Sequence, residues 1–164
     1  MFYLDLFRTL DQHRVRYLLV GGLALNIHGV ERATMDVDLA LALDDENLGA
    51  FIGAAQALRL QPVAPVPLAD LALPERRLSW IEEKNLLAFA LRPPDPASPT
   101  VDILIKPGID FEAAWARRIE KTLGPVHVQL IGIDDLIAMK SATGRQRDRS
   151  DVEALQRLRQ LGGA

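Results

Sequence analysis

Cysteine is absent from the chain, which removes zinc knuckles, thiol nucleophiles and disulfide scaffolds at once. No apolar stretch approaches the ~20 residues that a membrane-spanning helix needs. The first residues, MFYLDLFRTLDQHR, carry Asp5 and Asp11 within a helix-like pattern and no cationic segment ahead of an apolar run, so the expected location is the cytoplasm. An excess of positive charge is also lacking: 19 Lys and Arg stand against 22 Asp and Glu, a formal charge of −3. The molecule as a whole does not attract polyanions, and any site for one must be local. The two tryptophans, Trp80 and Trp115, read as core or loop packing or as platforms for a base.

What is present is an ordinary globular balance, with 49% apolar and 25% charged residues in 164. That length suits one domain, able to bury roughly 70% of the surface its unfolded chain exposes. Tyr3, Leu6, Phe7 and Leu10 have the spacing of an amphipathic helix. Val15 to Val20 reads as a strand, Leu23 to His28 as a brief helix stopped by Gly29, and Val37 to Leu43 as a second strand. Asp44 or Asp45 caps a helix whose apolar positions are Leu48, Phe51, Ile52 and Ala55. Four of the ten prolines fall between Pro62 and Pro74 and four between Pro93 and Pro99, and both stretches read as loops. Leu86 to Leu91 and Val101 to Ile105 are strands joined by the second of these loops. Phe111, Ala114, Trp115 and Ile119 suggest a helix, Val126 to Ile131 a last strand, and Ile133 to Ala142 and Ser150 to Leu161 two closing helices. His28, on its short apolar helix, reads as a packed histidine rather than a ligand.

The chemistry concentrates in two runs, Gly21-Gly22-Leu23-Ala24 and Arg32-Ala33-Thr34-Met35-Asp36-Val37-Asp38. Residues two apart in a strand share a face, so Asp36 and Asp38 project together while Val37 and Leu39 enter the core. Asp102, between Val101 and Ile103, repeats the arrangement on a later strand. Such acids are either a solvated strand edge or a group that needs a shared cation, for which a hard ion such as Mg²⁺ is suited. Three aspartates on adjacent strands could hold two such ions about 4 Å apart, as in-line phosphoryl transfer requires. The Gly21-Gly22 turn is either a tight turn or, opening a helix, a phosphate cradle made of backbone N–H groups. It is not a Walker loop, whose lysine is missing.

A strand, a Gly-Gly turn, a D-x-D on the next strand and a later Asp resemble the nucleotidyltransferases of the DNA polymerase β superfamily. The stretch V-G-G-x-A-x-x-x-H-G with R-x-T-x-D-x-D, and the run from Lys140 to Asp151 with its K…R…D-x-x-D pattern, look most similar to the AbiEii-type toxins of toxin–antitoxin and phage-defence systems. The resemblance runs from about Val15 to Leu158, the proline-rich middle excepted. It implies that Gly21 and Gly22 bind the phosphates of an NTP, that Asp36 and Asp38 bridge two Mg²⁺, and that Asp102 completes the catalytic metal and helps deprotonate an acceptor hydroxyl. Many relatives have Ser where this chain has Gly22, which keeps the backbone contact and loses a hydroxyl. Implied partners are the NTP, an acceptor RNA or protein, and a cognate antitoxin or partner subunit. The larger toxins carry more helix at the C-terminus, so the acceptor site here is expected to be minimal or completed by another subunit.

Helical spacing places Lys140 on the face of Ile133, Leu136 and Ile137, where a charge either snorkels to solvent or meets an anion. The resemblance assigns that anion as the triphosphate, with Arg145 and Asp148 in the same nucleotide site. Arg145, Arg147 and Arg149 form a local cationic patch. Ser150 with Glu153 reads as a capping box, and Asp148 and Asp151 share a face with Val152 and Leu155. Arg32 and Thr34 position phosphate or brace the acidic strand, with Asp151 as a further supporting residue.

The expected fold is α/β: a small, mixed, twisted sheet of about five strands with helices on one side, residues 1–131, and a C-terminal helical pair, residues 132–164, closing over the cleft as part of one compact unit. The expected reaction is Mg²⁺-dependent transfer of a nucleoside monophosphate from an NTP to a hydroxyl. The alternatives are a small-molecule, antibiotic-modifying nucleotidyltransferase and a non-catalytic NTP-binding partner module.

Overall fold

The computed structural model describes residues 2–162. It opens with α1 (Phe2–Gln12), which buries Leu6, Phe7 and Leu10. Each such side chain contributes roughly 1.5–3 kcal/mol by leaving water. Then come β1 (Tyr17–Val20), α2 (Gly21–His28), β2 (Val37–Leu41) and α3 (Asp45–Ala57). Gly29 stops α2 in the left-handed conformation, at φ 116°. Asp44 caps α3, its carboxylate accepting the Asn47 N–H at 2.8 Å. The chain continues through β3 (Gln61–Pro62), a 3₁₀ segment (Leu68–Ala72), α4 (Pro74–Lys84), β4 (Ala88–Arg92), β5 (Val101–Leu104), α5 (Phe111–Ala116), β6 (Ile119–Leu123), β7 (Val126–Leu130), α6 (Ile133–Ser141) and α7 (Gln146–Gln160).

The strands form one mixed sheet ordered β3-β4-β5-β2-β1-β7-β6. It has seven strands where the sequence suggests five. One extra strand, β3, is a two-residue edge paired with β4. The other, β6, begins at Ile119, whose spacing from Trp115 reads as helical; α5 ends instead at Ala116, and β6 pairs antiparallel with β7 across Gly124-Pro125. The first proline-rich stretch leads into α4 rather than remaining loop. Pro74 sits at the start of that helix, where a missing N–H costs nothing, and Trp80 of α4 is buried against Phe89 at 5.0 Å. Helix α7 starts four residues earlier than its apolar spacing suggests. Ser150 therefore lies inside it, its hydroxyl reaching the Gln146 carbonyl at 3.5 Å, and no capping box with Glu153 forms.

One face of the sheet is a continuous core of Tyr17, Leu19, Leu39, Leu41, Ile103 and Phe89, all buried. On the other face Leu18, Val20 and Ala40 are also buried, but the cover thins toward β5 and β4, where Asp102, Leu104 and Ala90 are half-buried. Leu136 of α6 and Leu155 of α7 belong to the same core cluster as the sheet. The opening left between these helices and the uncovered end of β2 and β5 is the candidate site. Among the described residues, no helix is long and apolar enough to cross a membrane.

Candidate active site

In the parallel pairing of β2 with β5, Asp38 lies directly opposite Asp102. Opposed residues share a face and strands lie about 4.8 Å apart, so the two carboxyl groups are neighbours. Asp36 stands just before β2 and accepts the Thr100 N–H at 3.4 Å, while the Thr100 hydroxyl donates to Asp102 at 3.3 Å. Burial, then repulsion from Asp102 and Asp36, pushes the Asp38 carboxyl up to about 7, against the opposing pull of Lys140. Asp102 is also raised, first by burial and then by Asp36, while hydrogen bonds from Thr100 and Asp38 hold it back. Asp38 thus keeps its proton to near neutrality and shares it with Asp102 when no cation is present.

Among the described residues, no three acidic or histidine side chains are already drawn together into a cage for a metal ion. The donor set nonetheless suits a hard divalent cation: it is all carboxylate oxygen, and two of its members resist ionising side by side, a cost that a cation between them removes.

The glycine turn lies on the other side of Asp38. Val20, the last residue of β1, is opposite Asp38 in the antiparallel pair, and α2 begins at the next residue. Gly21 has φ +73°, and a Cβ there would fall 2.8 Å from the Asp38 Cγ, so both the backbone and the close carboxyl require glycine. No side chain caps α2. The first N–H groups of the helix are left for a ligand, and the helix dipole favours an anion there.

A third wall comes from α6 and α7. Lys140 is 12% exposed, with its ammonium 3.2 Å from Asp148 and 3.1 Å from Asp151. Asp148 also accepts from the Thr143 hydroxyl and the Arg145 Nε, each at 2.6 Å, and Asp151 pairs with Arg32. Burial alone would raise the Asp148 carboxyl; the hydrogen bonds from Thr143, Arg145 and Lys140 outweigh it and hold it down at about 2. Lys140 therefore faces the opening, as helical spacing suggests, but already has two anions on α7. Asp148 is fully buried and does not line the cavity, and its carboxylate contacts Lys140, Thr143 and Arg145. Arg32 braces α7 through Asp151. Thr34 fills the space beside Gly22.

These walls enclose one cavity of about 570 Å³ that gathers Gly21, Gly22, Asp36, Asp38, Asp102 and Lys140, with Arg32, Thr34, Arg145 and Arg147 at its margins. Leu87, Leu104 and Lys106, which also line the cavity, carry no motif and escape a reading of the sequence. For Thr100 a signal existed, since it precedes Asp102 by two residues as Asp36 precedes Asp38. His28 bonds the Ile131 carbonyl through Nε2 at 2.7 Å, as a packed histidine does. Trp115 stacks on Phe111 at 5.8 Å with the Arg118 guanidinium 3.8 Å above its ring, and neither tryptophan lines the cavity.

Comparison with known proteins adds independent information. No protein of curated function matches the sequence. Among solved structures, the fold is similar to lincosamide antibiotic adenylyltransferase LnuA with lincomycin bound, at TM-score 0.58 and 15% identity over 96% of this chain and 94% of that one. It is also similar to ANT(2")-Ia in complex with adenylyl-2"-tobramycin, at TM-score 0.54 and 12% identity over 98% of this chain and 94% of that one. At those identities the likeness establishes the fold. The sequence pattern of a nucleotidyltransferase family of unknown function, DUF6036, matches residues 4–161, and the chain belongs to that family.

Proposed function

We propose that the protein transfers a nucleoside monophosphate from an NTP to an acceptor hydroxyl. The observation that carries this reading is the paired Asp38 and Asp102 beside an uncapped helix start, within a single cavity walled by cations. The N–H groups of Gly21 and Gly22, with Lys140 and Arg145, hold the β- and γ-phosphates. The acceptor oxygen attacks the α-phosphorus, a new O–P bond forms, and the bond to the α–β bridging oxygen breaks so that pyrophosphate leaves with the electron pair. Asp102 takes the proton of the hydroxyl. Two Mg²⁺ ions held by Asp36, Asp38 and Asp102 would supply Lewis-acid polarisation of the phosphoryl oxygens and offset charge on the leaving group.

In the AbiEii-like reading the acceptor is RNA or protein and the protein acts as the toxin of a toxin–antitoxin or phage-defence pair. In the small-molecule reading the acceptor is a compound of the kind named for the structurally similar lincosamide enzyme, whose fold this chain shares over 94% of that chain. A partner module without catalysis would gain nothing from three mutually repelling carboxylates. The test is incubation with each α-labelled NTP, Mg²⁺ and total RNA. Label moving to a macromolecule, and lost in Asp38→Asn, supports transfer; label that stays in the NTP with every acceptor offered refutes it.

A further inference from the structure

The two ends of the cavity differ in chemistry, and the difference bears on the acceptor. Across the sheet, Val20 stands opposite Asp38 and Asp38 opposite Asp102. The glycine turn and the Lys140 wall therefore lie to one side of the carboxylates. Beyond Asp102 on the other side, β5 continues to Leu104 and then to Lys106 and Pro107, and Leu87 lies alongside, its carbonyl accepting the Ile105 N–H at 3.1 Å. In an in-line displacement the attacking and leaving oxygens lie on opposite sides of phosphorus. With pyrophosphate on the glycine turn, the acceptor must enter from the Leu104 side.

That side is apolar and carries one charge. Leu87 lines it at 55% exposure, leaving apolar surface for a ligand to cover. Lys106 is exposed, and among the described residues no ion pair occupies its ammonium. Apart from Asp36, Asp38 and Asp102, the cavity lining contains no carboxylate. A polycation such as tobramycin would meet Lys106 and find no counter-charge of its own.

We propose that the acceptor is an anionic hydroxyl compound with an apolar or planar body, seated on Leu87 and Leu104 with its negative group at Lys106. The proposal rests on the nucleotidyltransfer reading, since that reading decides which end receives the acceptor. The same chemistry is offered by a carboxylate on a small hydroxy acid and by the phosphate next to the terminal ribose hydroxyl of an RNA.

Binding, rather than turnover, is the direct test. Hydroxymethylbenzoate, hydroxymethylbenzylamine and a short oligoribonucleotide are titrated separately into the full chain loaded with Mg²⁺ and a non-hydrolysable NTP, and the methyl signals of Leu87 are followed by NMR. The acid is expected to bind at least five-fold more tightly than the amine, and Lys106→Glu to invert that order. If the oligoribonucleotide shifts Leu87 at concentrations far below the acid, the source of the anion is RNA; if the acid is the tighter of the two, it is a small molecule. Equal binding of acid and amine, tighter binding of the amine, an order unchanged in Lys106→Glu, or no shift of Leu87 with any probe overturns the proposal. The Gly21 and Gly22 amide signals report NTP binding in the same samples, so failure of the nucleotide reading shows there and is distinct from failure at Leu87.

Discussion

The hydroxyl oxygen of Thr34 lies 2.8 Å from where a Cβ on Gly22 would stand, and the Thr34 Cβ lies 3.0 Å from it. The two residues divide one space. A glycine at position 22 gives up a side-chain hydroxyl at the helix start, and Thr34, reaching in from the loop before β2, puts one back beside the same turn.

Gly22→Ser alone is therefore expected to crowd Thr34 and to cost about 1–3 kcal/mol of stability, the usual range for overpacking. Adding Thr34→Ala to Gly22→Ser should recover most of that loss, because the space is then filled once. Urea denaturation of the two single variants and the double variant measures the coupling. Strictly additive effects would mean that the two positions do not share their space.

Lys140 is expected to be structural as well as functional. With Asp148 and Asp151 against its ammonium at 3.2 and 3.1 Å, Lys140→Ala leaves two carboxylates short of a partner. Breaking such a buried pair costs about 3–5 kcal/mol. Lys121, exposed on β6, is the control: Lys121→Ala should leave both stability and NTP affinity unaltered. Equal melting of the two variants in urea would contradict the placement of Lys140.

The acid limb of stability should carry the signature of Asp148. Its carboxyl is depressed to about 2 in the folded chain, below an unfolded value of about 3.9. The sign follows: this contribution is complete above about pH 4 and is lost as pH falls through about 2. It amounts to about 2.5 kcal/mol by the linkage relation. Asp148→Asn should lower stability at pH 7 and flatten its decline between about pH 4 and 2. A variant that keeps the wild-type acid slope would contradict the assignment.

How far the sequence reveals this site depends on the range of the interactions that build it. Asp36, Asp38 and Asp102 were legible because strand alternation is local, and Val37, Val101 and Ile103 mark the buried face beside them. The Gly21-Gly22 turn was legible for the same reason. Helical spacing puts Lys140 on the inner face of α6, but an anion on the next helix has no signature in that spacing. The Arg32 to Asp151 pair joins residues 119 positions apart, beyond any local pattern. Ile119 and Pro74 misled because each fits two structures. An apolar residue four after Trp115 suits a helix until β7 supplies a strand partner, and a proline suits a loop until it becomes the first residue of a helix.

A crystal grown with Mn²⁺ and a non-hydrolysable NTP tests the central claim most directly. The account predicts anomalous density between Asp38 and Asp102, with the triphosphate on the amides of Gly21 and Gly22. Nucleotide bound elsewhere, or at the glycine turn with no metal between the two carboxylates, would contradict it.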